Sequence, residues 1–340
     1  MRKYLSSIVI LLCVLATTLK AQTTGAPFGV NLAGAEFGKI GTDHYGYPTS
    51  EELDYFKSKG LTLFRLPFKW ERLQPELNSA LDAKELKLMR NFVDEAAKRD
   101  LLVILDMHNY ARRHVGDSTH IINNGVITAA QVADAWKKIA TEFKSYKNIW
   151  AYGLMNEPYN MPTKTAWFDI AQVIINTVRT VDTKTPILVG GDFWSSASRW
   201  QDLSDHLKDL KDPSNNLIFE AHVYFDEDAS GSYKRTYEEE KAHLNVGVDR
   251  VKPFVNWLKK NNKKGFVGEY GIPDNDDRWF PILERTLAYL KANGVNGTYW
   301  AAGPRWGKYK LSIEPRDGKD RPQMPSVAKF THADNLSKVK

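Results

Sequence analysis

The strongest constraint on this chain is a rhythm. Eight short apolar runs recur along its 340 residues, at 28–32, 61–67, 101–107, 149–155, 186–190, 217–223, 265–269 and 297–301. Each is a short apolar run, not an alternating one, as in "LLVILDM" and "IWAYGLM". Strands buried on both faces read this way, whereas half-exposed strands alternate. Helical periodicity fills the gaps. One stripe joins Leu86, Met89, Phe92 or Val93, and Ala96 or Ala97; others join Val132, Trp136, Ile139 and Phe143, and Trp167, Ile170, Ile174 and Val178. Eight βα units with right-handed crossovers close into a (β/α)8 TIM barrel. An open doubly wound sheet would place a glycine-rich turn after its first strand, and "GVNLAGAEFG" lacks the G-x-G-x-x-G spacing. No Pro, Ser or Gly-rich linker divides the chain, so one domain is expected over 22–340, with a last helix near 327–336.

The first 21 residues read as a secretory signal peptide: Arg2 and Lys3, an apolar run from Ser7 to Ala16, and Ala21 before a cut. That run is too short for a transmembrane helix. Removing the first 21 residues takes away Cys13, the single cysteine, leaving neither disulfide nor thiolate metal site, and lowers the formal charge from +6 to +3. No basic cluster is interleaved with aromatics, so neither nucleic acid nor membrane is an expected partner. "KKNNKK" at 259–264 reads as a solvated helix end. A secreted or periplasmic monomer is expected.

Active sites of such barrels sit where strands run into the following loops. At those positions stand Arg65, His108 with Asn109, Asn156 with Glu157, His222 with Tyr224, Glu269 with Tyr270, and Trp300. Singly, each has an ordinary structural role as a turn, ion-pair or packing residue. So many polar groups at one end of six strands would be costly to bury without a function. Two carboxyls facing across a groove are what glycoside hydrolysis requires: one protonated to assist the leaving oxygen, one ionised to attack carbon. Arg65 is suited to hold one of them ionised, with Tyr224 donating to it, and His222 to organise the proton of the other. Asn156 suits a sugar hydroxyl. A metal hydrolase is the rival, but there is no H-x-H or H-E-x-x-H, so no metal and no cofactor is expected. "DEDASG" at 226–231 begins like a calcium loop, yet Tyr237 stands at its twelfth position; it reads as a flexible loop on the substrate side.

Six motifs occur in order: "FRLPFKWERLQP", "LDMHNYARR", "GLMNEPYN", "EAHVYFD", "GEYGIP" and "TYWAAGPRWG". Together they resemble glycoside hydrolase family 5, the retaining (β/α)8 glycosidases with two strand-tip glutamates, over essentially the whole mature chain. The resemblance implies that Glu157 is the acid/base and Glu269 the nucleophile, and that Arg65, His108, Asn156, His222, Tyr224 and Trp300 bind substrate. "GVNLAGAEFG" and "MHNYARR" are most similar to the cellulase branch, which cuts internal β-1,4-glucosidic bonds. The expected partner is therefore a β-glucan polysaccharide or oligosaccharide. The alternatives are a mannanase, xylanase or mixed-linkage glucanase on the same machinery, or a non-catalytic carbohydrate-binding barrel. Trp70, Tyr110, Phe193, Trp194 and Trp306 are candidate stacking platforms, and "ARRHVGDSTHIINNG" maps to no expected element.

Overall fold

The computed structural model describes residues 28–164 and 166–331; the expected signal peptide lies outside the described residues. Eight parallel strands form a closed barrel: β1 (Gly29–Leu32), β2 (Leu63–Phe68), β3 (Leu102–Met107), β4 (Ile149–Gly153), β5 (Ile187–Gly190), β6 (Leu217–His222), β7 (Lys264–Tyr270) and β8 (Asn296–Ala302). Each pairs with its sequence neighbours, and β8 closes on β1. All eight expected strands are present, and closure excludes the open sheet.

The expected apolar stripes face the barrel. Met89, Phe92, Val93 and Ala96 are buried on the helix Ala83–Ala97, Trp136, Ile139 and Phe143 on Ala129–Phe143, and Trp167, Ile170 and Ile174 on Ala166–Arg179. The second of these helices starts at a capping box, in which the Thr128 hydroxyl accepts from the Gln131 amide while Gln131 reaches back to Thr128. The last described helix is Met324–Ala328, earlier and shorter than the expected one, whose final residues fall outside the described range. Among the described residues no helix is long and apolar enough to cross a membrane.

The barrel interior positions the site. Leu63, Ile104, Ala151, Leu188, Ile218 and Phe266 form an apolar layer within it. Side chains on a strand return to the same face every second residue. The next inward layer on those strands is therefore Arg65, Asp106, Gly153, Gly190, Glu220 and Gly268. Three charges and three glycines replace six apolar groups. The glycines make room: a Cβ at Gly268 would lie 1.9 Å from Glu220 Oε1. Beyond β3 the chain adds a small hairpin, Arg112–Val115 paired with Ser118–Ile121, inside the stretch that mapped to no element.

Candidate active site

Arg65 is fully buried at the centre of the rim. Its guanidinium forms ion pairs with Asp106 (3.0 Å), Glu220 (3.0 Å) and Glu269 (3.1 Å). It also donates to Asn31 Oδ1 (2.9 Å) and Asn156 Oδ1 (2.8 Å). Burial alone would lower its pKa, but the carboxylates around it more than offset that and hold it up. Accepting from Arg65 turns the Asn156 amide so that Nδ2 faces His108 Nε2, at 3.2 Å. That ring nitrogen must then be the acceptor, so Nδ1 carries the hydrogen and donates it to Asp106 Oδ2 at 2.8 Å. Burial, with Arg65 and Lys69 nearby, depresses the His108 pKa well below its usual value, which keeps the ring neutral.

The two strand-tip glutamates differ in their surroundings. Glu269 Oε1 accepts from Arg65, and Glu269 Oε2 accepts from the Tyr224 hydroxyl at 2.7 Å. Burial and the Glu269 charge push the phenol's pKa up, so it remains a donor. Glu157 has one side-chain partner: its Oε1 lies 2.7 Å from His222 Nδ1. Burial raises the Glu157 pKa, the Glu269 charge adds to this, and His222 opposes it. Against its own burial, His222 is pushed up to about 10 by Glu269, Glu157 and Glu220. Backbone conformation also marks this rim. Tyr110, Ala111, Glu157, Phe193, Trp194 and Ser195 all have φ between 46° and 57° or at 61°, a left-handed region that costs non-glycine residues roughly 1–3 kcal/mol each.

An oxygen of Glu157, a nitrogen of His222 and an oxygen of Glu269 lie within 4.8 Å of one another, the single such set among the described residues. These atoms are better suited to pass protons than to hold a cation. A protonated His222 has no lone pair to offer a metal.

Trp300 is nearly buried and stacks on His108, with ring centroids 5.3 Å apart and planes 12° apart. Beside Glu157 a cavity of about 450 Å³ is lined by Phe193, Trp194, His222, Tyr224, Asp228 and Arg250, among others.

A family model for cellulases, glycosyl hydrolase family 5, matches residues 21–305. The chain belongs to this family. It is a glycoside hydrolase. It is 34% identical to the endo-beta-1,4-glucanase B of Emericella nidulans over 314 residues, covering 89% of this chain and 90% of the relative. Among solved structures, the Pseudomonas stutzeri endoglucanase Cel5A in complex with cellobiose superposes with a TM-score of 0.84 at 39% identity, covering 95% and 98% of the two chains. XacCel5A in complex with cellopentaose does so at 0.82 and 38%, covering 89% and 98%.

Family membership makes the gathering of residues on one rim meaningful. The structure brings together Arg65, His108, Asn156, Glu157, His222, Tyr224 and Glu269 by direct contacts, with Trp300 against His108. Asn31, Asp106 and Glu220 complete the cluster and were not anticipated. Asp106 and Glu220 stand inside "LLVILDM" and "LIFEAHV", runs read as apolar, and Asn31 inside "FGVNL". A charge two residues beyond an inward apolar position was the available signal. Of the candidate platforms, Trp194 and Phe193 are exposed and line the cavity, while Tyr110 and Trp306 are half-buried. Trp70 is a correction: it is 1% exposed, its indole N–H donates to Gln74, and Arg113 covers its ring, so it is core. The loop expected to be flexible does line the cavity, through Asp228, Ala229 and Ser230. The Asp226 carboxylate braces it by accepting from the amides of Gly231, Ser232 and Tyr233 and from the Ser230 hydroxyl.

Proposed function

We propose that this glycoside hydrolase is a secreted, endo-acting β-1,4-glucanase that cleaves with retention, using Glu157 as acid/base and Glu269 as nucleophile. The observation that carries this reading is the approach of the two carboxyls, with an oxygen of each within 4.8 Å. Retaining pairs stand about 5–5.5 Å apart, and inverting pairs about 6.5–9.5 Å to admit a water. The substrate class rests on the relatives: the Emericella nidulans protein is named an endo-beta-1,4-glucanase, and the two solved neighbours are an endoglucanase in complex with cellobiose and XacCel5A in complex with cellopentaose. Secretion rests on the signal-like sequence of residues 1–21.

Each step uses a group already in position. The Glu269 oxygens, both facing donors, are oriented as acceptors, and one attacks the anomeric carbon. The C–O bond to the leaving sugar breaks as Glu157 delivers its proton to the glycosidic oxygen. His222 donates to Glu157 Oε1, which leaves the proton on the other oxygen. Once Glu269 is esterified its charge is gone, and with it one of the influences that raise the Glu157 pKa. Glu157, having given up its proton, therefore stays ionised and is available as the base: it takes a proton from a water whose oxygen attacks the anomeric carbon, and the bond to Glu269 breaks. The free N–H of Asn156 Nδ2 is available to a sugar hydroxyl beside the attacked carbon, and Trp300 offers a wall for the sugar held there.

The test is direct. On soluble cellulose derivatives the purified protein should lower viscosity faster than reducing ends accumulate. On a cello-oligosaccharide, proton NMR should detect the β-anomer first. A first-formed α-anomer overturns the retaining assignment. Preference for mannan or xylan moves the substrate to the alternatives, and inertness on all polysaccharides refutes catalysis. Sequencing the secreted protein should find its first residue at Gln22.

A further inference from the structure

Trp194 is a large aromatic that the barrel itself does not hold. It is 40% exposed, sits in a loop where Phe193, Trp194 and Ser195 all have positive φ, and lines the cavity beside Glu157. One backbone hydrogen bond ties it down, from its amide to Pro158 O at 3.1 Å. Its ring is supported differently. The Tyr159 ring lies parallel to the indole at 3.7 Å between centroids and 11° between planes. Across the ring of Tyr159 sits the Arg112 guanidinium, 3.6 Å from its centroid. Arg112 also donates to the carbonyls of Tyr110 (2.7 Å) and Tyr159 (2.9 Å). A cation, a phenol ring and an indole thus stack in series, joining the loops that follow β3, β4 and β5. Arg112 itself opens the hairpin, paired with Ile121.

We propose that Arg112 and Tyr159 are positioning residues for the leaving-group side of the cleft: by fixing the indole of Trp194 they create a platform for the glucose unit released next to Glu157. This rests on the glucanase reading above. Glu157 protonates the leaving oxygen, so the cavity it shares with Trp194 receives the departing part of the chain. Neither Arg112 nor Tyr159 touches the bond that breaks. The same platform governs the second half of the reaction. A gluco-oligosaccharide bound there competes with water: its hydroxyl attacks the anomeric carbon, its proton goes to Glu157, and the ester bond to Glu269 breaks, giving a longer oligosaccharide in place of hydrolysis.

The test compares two substrates with the same cellobiosyl group on the Glu269 side, an aryl cellobioside with a small acidic phenol and cellopentaose. Arg112→Ala and Tyr159→Ala should lower kcat/KM on cellopentaose about tenfold, chiefly through KM, the size expected for losing a partly desolvated cation–aromatic contact. On the aryl cellobioside, which places no sugar on Trp194, the change should stay within about twofold. Longer products formed at high cellopentaose concentration should fall in parallel. Tyr159→Phe retains the ring and should restore wild-type behaviour, and Arg112→Lys should lie between. Tyr159→Leu spares the Arg112 side chain while removing the ring, so it provides the same comparison if Arg112→Ala does not fold. Equal losses on both substrates, or unchanged kcat/KM on cellopentaose, would overturn the proposal. A wild-type protein inert on both substrates would instead overturn the glucanase reading beneath it.

Discussion

Glu36 should make the fold less stable as the pH rises. It lies in the loop after β1, is 2% exposed, and accepts one hydrogen bond, from the Gly34 amide to Oε2 at 2.8 Å. Its other oxygen is buried without a partner. Burial pushes its pKa from 4.5 up to about 7, against the opposing pull of the Gly34 amide, Lys69 and Arg72. A carboxyl raised in this way keeps its proton in the folded protein while the unfolded chain loses it. Stability is therefore full below pH 4.5, falls as the pH climbs to about 7, and is flat above. The gap between 4.5 and about 7 corresponds to about 3 kcal/mol. Glu36→Gln keeps an acceptor for Gly34 and removes the charge. Urea unfolding at several pH values, from about 4 to about 8, should show the variant gaining about 3 kcal/mol on the wild type across that range. A difference that does not change with pH, or grows toward acid, refutes the reasoning. The neighbouring residue gives the result functional weight. Phe37 packs edge-on against Trp306 at 4.7 Å and Trp300 at 6.4 Å, so the Glu36 loop adjoins the Trp300 wall of the cleft.

Three further outcomes are expected. Glu157→Ala should slow cleavage of cello-oligosaccharides by about 10² to 10⁴ while sparing the first step on an aryl glycoside with an acidic phenol, and azide should restore its turnover with a β-azide product; if Glu269→Ala gives this pattern instead, the roles are reversed. Glu269→Gln removes a charge that helps burial raise the Glu157 pKa, so an NMR titration of the Glu157 carboxyl should find it lowered, and an unchanged or higher value contradicts the coupling. Gly268→Ala puts a Cβ 1.9 Å from Glu220 Oε1, so it should displace Glu220 from Arg65, lower activity and destabilise by roughly 1–3 kcal/mol; a fully active, equally stable variant would show that the glycine is not needed for the ion cluster.

The barrel was legible because its signal is redundant. Every strand is a mainly apolar run that does not alternate, and the stripes of Trp136 and Trp167 recur at helical spacing on the connecting segments. The site was legible mainly where a run ends, as at Glu157 and Glu269, and at Arg65 and Trp300, which stand inside theirs. Asp106 and Glu220 were hidden because the strand around each is apolar on its outer face, and a single charge does not break that pattern. Reading the inward face alone, two residues on from Ile104 and Ile218, would have exposed both. The hairpin had a signal too: four residues on each side of Gly116–Asp117, with Gly116 at φ 58°. Its strands, exposed or half-buried apart from the buried Arg113, have no apolar run to announce them. Trp70 was misassigned for the opposite reason. A tryptophan at a rim has the same sequence appearance whether it faces a sugar or the barrel's helical shell, and only the Arg113 and Gln74 contacts decide.

The ion cluster around Arg65 is better explained by geometry than by stability. Three carboxylates about one buried guanidinium pay a desolvation penalty that their attraction repays only with excellent hydrogen bonding, and an apolar replacement of similar volume is often as stable. What the cluster provides is direction. From Arg65 to Asn156, to His108, to Asp106 and back to Arg65, hydrogen bonds and an ion pair close a ring in which each group fixes the orientation of the next. Glu269 is attached to that ring through Arg65 and restrained again by Tyr224, and only 6% of its side chain is exposed. Glu157 stands outside it with one side-chain partner, His222, and 15% of its side chain exposed. This asymmetry supports the assigned roles. A nucleophile has to meet one carbon along one line, so rigid placement serves it. An acid that must also become a base has to exchange its proton with the leaving group and then with water, and a second donor on Glu157 would oppose that exchange.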